Sequence, residues 1–243
     1  MSADVVWRGL QPGDAGRRET ATTVPVASPG PGRRARPQHR PFGSAFADSE
    51  AIGLRCDLEA TPSPGPAPAL QPTVIEIDSR ELGDLLAESG DRRHVGALLG
   101  CPVRRRLVQR RIGRCFVAMT RGAEPCFVEW LLDHTDNPAL RRGFGDTFPH
   151  LLRDEALLEG GFTPAPFAAS EIVPVAKARI AARAATFGVR WVHSFVPVGD
   201  PATLRATIAA GFALHQLRLQ QRRLWRRTTS FGPLPLELRQ YPG

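Results

Sequence analysis

The sequence predicts an α/β fold, a mixed central sheet with flanking helices behind a disordered N-terminal arm, and three observations predict it. The last third alternates strand, helix, strand, helix, strand, which implies at least one parallel crossover. Upstream lie segments of strand-like alternation joined by a tight turn. Composition changes sharply near residue 72, where a proline-rich stretch gives way to periodic apolar sequence. The boundary is therefore drawn at an arm over residues 1–72 and one folded domain over residues 73–243, about 170 residues long.

The arm reading rests on Pro25 to Pro41 (PVASPGPGRRARPQHRP) and Thr61 to Pro72 (TPSPGPAPALQP). Proline removes a backbone donor every few residues, so neither helix nor central strand can be sustained. Too few apolar residues recur to offset ordering entropy. A short element around Ser44 to Leu58 is left open.

Within the domain, Thr73 to Ile77 (TVIEI) alternates as a strand, and Ser79 to Leu86 has an N-cap and helical spacing. Arg106 to Arg111, Cys115 to Thr120 and Cys126 to Leu132 read as three strands, the last two joined through Arg121-Gly122-Ala123-Glu124. Asn137-Pro138 opens a short helical or looped stretch to Gly145. Glu155 to Phe162 (EALLEGGF) reads as a strand ending in glycines. Pro174 to Phe187 is an amphipathic helix with Gly188 ending it. Arg190 to Val196 (RWVHSFV) is a strand, Asp200 caps a helix over Pro201 to Ala210, and Leu214 to Trp225 forms a last strand.

Composition narrows the function classes. The chain has 32 Lys plus Arg against 24 Asp plus Glu, a net charge of +8, and Lys177 is its only lysine. That arginine preference, with abundant Ala, Pro and Gly, has the imprint of a GC-rich genome. Positive charge favours anionic partners such as phosphates, but no zinc-finger spacing or Gly-aromatic RNA signature is present, and nucleic acid is not the expected partner. Cys56, Cys101, Cys115 and Cys126 form no C-x-x-C pair and no zinc spacing, so no metal is expected and the thiols read as reduced. No apolar run reaches the ~18 residues that span a membrane, and the N-terminus has no apolar leader core. The expectation is a cytoplasmic protein without a membrane partner, with a homodimer left open.

Three stretches carry a family resemblance: Phe148 to Phe167 (FPHLLRDEALLEGGFTPAPF), Ala176 to Val196 (AKARIAARAATFGVRWVHSFV) and Asp200 to Phe212 (DPATLRATIAAGF). Together they resemble the GNAT superfamily of N-acetyltransferases, across about Thr73 to Arg227. The resemblance implies acetyl-CoA as co-substrate, held in a gap between two central strands with its pyrophosphate on backbone N–H groups at a helix N-terminus. It implies acetyl transfer to the amine of a small molecule or peptide. Carried onto this chain, the cofactor residues would be Phe162, Thr163, Ala165, Phe167, Ala168, Ala169, Ser170, Ile172, Asp200 and Thr203.

The sequence departs from the family pattern in that loop. Phe167 to Val173 (FAASEIV) has neither of the usual glycines and no Arg or Gln, and Glu171 enters the first turn. Two like charges about 4 Å apart cost roughly 4 kcal/mol at an effective dielectric near 20. The other reading of Glu171 is an acid complementing its own helix dipole. Thr207 stands where many members place a tyrosine that protonates the departing thiolate. A second reading therefore stands beside the first: a catalytically inactive binding or regulatory module with the same fold.

Attack of an amine on a thioester needs a base. Strand alternation places Glu155, Leu157 and Glu159 on one face, so Glu155 and Glu159 are the candidate bases, with salt-bridging acids as the alternative. His193, between Trp191 and Phe195 on its own strand face, reads as a packed histidine. Arg141-Arg142-Gly143-Phe144-Gly145 reads as a connecting loop. The run Arg218, Arg222, Arg223, Arg226 and Arg227 reads as a solvated edge.

Overall fold

The structure, a computed structural model, describes residues 46–60, 71–78, 81–88, 92–168, 171–223 and 226–235. The chain divides into two units, Met1–Phe42 and Gly43–Gly243, and every described residue lies in the second. In chain order the elements are β1 (Phe46–Asp57), β2 (Thr73–Ile77), α1 (Leu82–Glu88), α2 (Arg92–Gly100), α3 (Pro102–Arg110), β3 (Arg114–Met119) and β4 (Pro125–Asp133). They continue as α4 (Asn137–Phe144), β5 (Glu155–Phe162), α5 (Ile172–Ala184), β6 (Trp191–Pro197), α6 (Pro201–Ala209), β7 (Ala213–Arg223) and β8 (Arg226–Pro233).

The eight strands form one mixed sheet in the order β2-β3-β4-β5-β6-β1-β7-β8. Only β5 and β6 pair in parallel, through the crossover helix α5, and every other neighbour is antiparallel. Two apolar clusters sandwich the sheet. One joins α5 and α6 to Ile52, Leu54, Phe127, Leu131, Leu158 and Val192. The other joins α1 to α4 to Val117, Val128, Trp130, Leu157 and Phe195. Adjacent residues such as Leu157 and Leu158 fall in opposite clusters, as a pleated strand covered on both faces requires.

Helix ends follow local chemistry. Asp200 accepts a hydrogen bond from the Thr203 N–H and caps α6. Gly188 takes a left-handed φ of 74° and ends the turn that extends α5.

Three expectations are corrected. The segment Arg106 to Arg111 is helical, because Pro102 starts α3 at its first position and Leu107 is buried beneath it, while Arg111 closes it in a left-handed cap at φ 49°. The folded unit does not begin at residue 73: β1 lies inside the sheet, antiparallel to both β6 and β7, so part of the expected arm is core. The rest of that arm, residues 1–45 and 61–70, lies outside the described residues. Leu214 to Trp225 is not the last strand. Its hairpin partner β8 follows and forms the sheet edge, which moves β7 and Arg218 inward. Among the described residues no helix is long and apolar enough to cross a membrane.

Candidate active site

The parallel pair is short. Glu155 to Leu158 of β5 face Trp191 to Ser194 of β6, and beyond that point the strands part company. β5 continues only against β4, where Phe162 faces Val128 and Glu159 faces Trp130. β6 continues only against β1, where Phe195 faces Gly53 and Val196 faces Ile52. The result is a wedge in the middle of the sheet that starts after Leu158 and Ser194.

One side of the wedge is shaped by a bulge. Gly160 and Gly161 of β5 stand opposite the single residue Glu129, and Gly160 has φ 73°. A side chain there would be strained, and its Cβ would lie 3.0 Å from the Trp130 ring. Arg104 of α3 pins the bulge from outside. It donates to the carbonyl of Gly161 at 2.8 Å and to that of Leu98 at 2.8 Å, and its guanidinium lies 5.1 Å from the Phe162 ring centroid. Nothing in the sequence reading singled out Arg104, because its helix was read as a strand.

Below the bulge lies a buried ion pair, Lys177 of α5 on Glu129 of β4. Both are almost fully buried, and Glu129 Oε2 has no hydrogen-bond partner. Burial pushes the Glu129 carboxyl up, against the pull of the Lys177 ammonium. A Cβ on Gly161 would lie 3.3 Å from Glu129 Oε1, so the pair sits directly beneath the wedge.

The two candidate carboxylates separate. Glu155 is at the start of β5, where the strands are still paired. Its Oε2 accepts from the Leu152 N–H at 3.0 Å, and its Oε1 lies 3.4 Å from His193 Nε2. His193 is buried and its Nδ1 lacks a partner. Burial holds its pKa below the usual histidine value, so the ring is neutral near pH 7. Glu159 lies where the strands diverge. Its Oε1 accepts from the Gly160 N–H, and burial pushes its carboxyl up. A carboxyl raised in this way is a better proton acceptor near neutral pH.

The other expected cofactor residues scatter along the wedge. Phe162 is buried at the end of β5, Thr163 is half-buried, and Ala165 and Phe167 form a short 3-10 turn before Ala168. Ile172 opens α5 with its side chain in the core. Ala169 and Ser170 lie outside the described residues. Glu171 is exposed at the N-cap of α5 and makes no capping hydrogen bond. Pro174 removes one of the N–H donors that a helix start normally offers. Asp200 and Thr203 engage each other twice, through the Thr203 N–H and hydroxyl. Thr207 is fully buried and donates its hydroxyl to the Thr203 carbonyl at 2.8 Å.

The remaining sequence candidates are structural. Arg141 and Arg142 close α4 rather than forming a loop, and Arg142 lines a depression of about 250 Å³ with Arg110, Ile112 and Ala139. The four cysteines are free, and burial raises Cys115 to about 12 and Cys126 to about 11, far from thiolate reactivity. Among the described residues no group of His, Cys, Asp and Glu could hold a metal.

No family model matches the sequence, and no curated relative matches it. Solved structures do match in fold, GNAT-family acetyltransferases among them. An acetyltransferase from Colwellia psychrerythraea is 11% identical with a TM-score of 0.45, over 73% of this chain and 56% of that one. A putative acetyltransferase from Novosphingobium aromaticivorans is 10% identical with a TM-score of 0.43, over 79% and 69%. A GCN5-related N-acetyltransferase from Sphaerobacter thermophilus is 10% identical with a TM-score of 0.44, over 79% and 55%. The chain spans little more than half the length of the first and third of these.

Proposed function

We propose that the wedge between β5 and β6 holds the pantetheine arm of an acyl-CoA, and that the chain transfers an acyl group, acetyl in the simplest case, to an amine. The observation that carries this reading is the parallel pair that stops after four residues and opens into a gap bordered by a glycine bulge. A thin, extended arm with amide groups fits between two strands that have ceased to bond each other, because each leaves backbone groups to be satisfied. Glu159 stands at the mouth of that gap with a carboxyl whose pKa burial has raised.

The chemistry then follows. Glu159 takes the proton of the attacking amine as the C–N bond forms at the thioester carbon. The Gly160 N–H is engaged by Glu159, so the oxyanion would be met by another backbone N–H of the wedge. The C–S bond breaks, and the proton passes from Glu159 to the departing sulfur. Glu155, tied to Leu152 and His193, supports the strand rather than the reaction.

A second reading, a binding module without turnover, is favoured by two observations. The Thr207 hydroxyl is already committed to a backbone carbonyl, and Glu171 and Pro174 weaken the anion site at the start of α5. Calorimetric titration of the full chain with acetyl-CoA, followed by thiol release in the presence of an amine panel, separates the two. Binding with turnover supports the transferase, and binding without turnover on any amine supports the module. No binding at millimolar acetyl-CoA contradicts the transferase and fits a module whose cofactor loop has decayed.

A further inference from the structure

Beside the wedge, on the sheet face covered by α1 to α4, two opposite charges, Arg218 and Glu159, are each half-buried, with no ion pair between them. Arg218 of β7 lies across the neighbouring strand β1 from Phe195 of β6, with its guanidinium 4.7 Å from that ring's centroid. The arrangement depends on Gly53 of β1. A Cβ there would come within 2.8 Å of the Phe195 ring and of the Gln216 side chain, so only glycine lets the two side chains close over the strand. Phe231 of β8, which stands opposite Arg218 in the β7–β8 pairing, also packs against Phe195 with ring centroids 5.7 Å apart.

Arg218 forms no hydrogen bond or ion pair among the described residues, and its Nη1 is buried. A charged guanidinium in that position carries an uncompensated desolvation cost. Nearby Arg227 adds a second positive charge and is itself bonded to Gln220. Gln220, buried two residues along β7, leaves its Nε2 without an acceptor. Two buried donor atoms without a partner, Arg218 Nη1 and Gln220 Nε2, therefore lie two residues apart on β7, with nothing anionic bonded to Arg218 among the described residues. The carboxylate whose field reaches Arg218 is Glu159, at the mouth of the wedge, and the two are not in contact.

We infer that this strip of β7 receives a small zwitterion, a molecule carrying both an amine and a carboxylate, with the carboxylate on Arg218 and the amine facing Glu159. The inference rests on the wedge as the acyl-CoA site and adds the class of acceptor. Arg218 offers a planar fork that matches a carboxylate in a bidentate way, and a buried donor left unpaired at Nη1 discriminates against ligands that lack the anion. Phe195, held under the guanidinium, keeps the fork in one orientation. The amine then lies on the same side of the sheet as the Glu159 carboxyl, which takes its proton.

The test uses the full chain with acetyl-CoA and a panel of the proteinogenic amino acids, each beside its decarboxylated amine and its methyl ester. Thiol release reads turnover, and calorimetry with the same compounds reads binding whether or not turnover occurs. The expected result is that at least one amino acid outperforms both its amine and its ester by roughly tenfold or more. Arg218→Gln should remove that preference while leaving acetyl-CoA affinity within about twofold, and Arg218→Lys should restore part of it. The ester comparison is made on the natural chain, so it decides even where a variant fails to fold. Equal handling of acid, amine and ester, or no amino acid bound by a chain that binds acetyl-CoA, overturns the inference and leaves the transferase reading intact. Loss of acetyl-CoA binding in the natural chain sinks the transferase reading instead, and amino-acid binding then still decides the role of Arg218.

Discussion

Lys177 is the only lysine of the chain, and its ammonium lies against a buried carboxylate beneath the wedge. Removing one member of such a pair leaves a stranded charge. Lys177→Met is expected to destabilise the protein by about 3–5 kcal/mol in urea unfolding. The double variant Lys177→Met with Glu129→Leu should recover most of that loss, because replacing both charges removes the desolvation cost as well. A double variant as unstable as the single one would show that the pair's charge, not its packing, holds α5 to β4.

His193 makes a second prediction at this scale. Desolvation holds its pKa below the value it has in the unfolded chain, about 6.5, while Glu155 opposes the shift and Arg55 adds to it. The unfolded state therefore binds the extra proton first as pH falls. Stability is complete above about pH 6.5 and declines below it until the folded pKa is reached. His193→Gln should flatten the melting temperature between pH 7 and pH 5 relative to the natural chain. An unchanged slope would assign the pH dependence to other groups, His215 first among them, since burial lowers its pKa too.

Glu159 has the opposite sign. Its folded pKa is raised, so its contribution to stability falls as pH rises through the interval above the unfolded value near 4.3. Glu159→Gln is expected to raise the melting temperature at pH 7 and to make little difference below pH 4. The same variant should reduce thiol release by roughly 100-fold or more if the carboxyl is the base. Higher stability with lower activity is the signature of a strained functional group.

At the scale of elements, β1 is the strand that decides whether the sheet is continuous. It joins β6 to β7, with Ile52 facing Val196 on one side and Leu217 on the other. A chain beginning at Gly43 is expected to fold cooperatively, whereas one beginning at Thr73 should aggregate or lose its near-ultraviolet dichroism, because β6 and β7 each lose the neighbour that joins them. Gly53→Ala is a finer probe. Overpacking against Phe195 should cost about 1–3 kcal/mol, and it should shift the ring on which Arg218 rests.

These elements also show what the sequence could and could not reveal. The strand, crossover helix and strand from Glu155 to Pro197 were readable because each has unbroken periodicity and a glycine or proline at its ends. β1 falls within the short element left open around Ser44 to Leu58, and Ile52, Leu54, Cys56 and Leu58 alternate onto one face. Proline-rich sequence on both sides hid its membership of the domain, and both partners lie far along the chain, so only the sheet reveals its place. α3 was misread because Leu107 and Val108 are the only apolar residues between Arg104 and Arg111, too few to show a helical period, while the decisive Pro102 lies four residues upstream of Arg106. Glu159 was found by strand alternation. Arg218 was taken for a solvated edge, because β8 was not recognised and β7 was placed at the margin of the sheet.

For the whole molecule, the net charge of +8 should speed and strengthen capture of an anionic cofactor, with affinity falling as salt is raised. The central claim is that the gap between β5 and β6 holds an acyl-CoA. The most direct measurement is hydrogen–deuterium exchange of the full chain with and without saturating acetyl-CoA. An acyl-CoA in the gap slows exchange in residues 159–168, 171–172 and 195–198, which border the wedge, with β2 and β3 unchanged. Protection confined to other elements, or none at saturation, would contradict it.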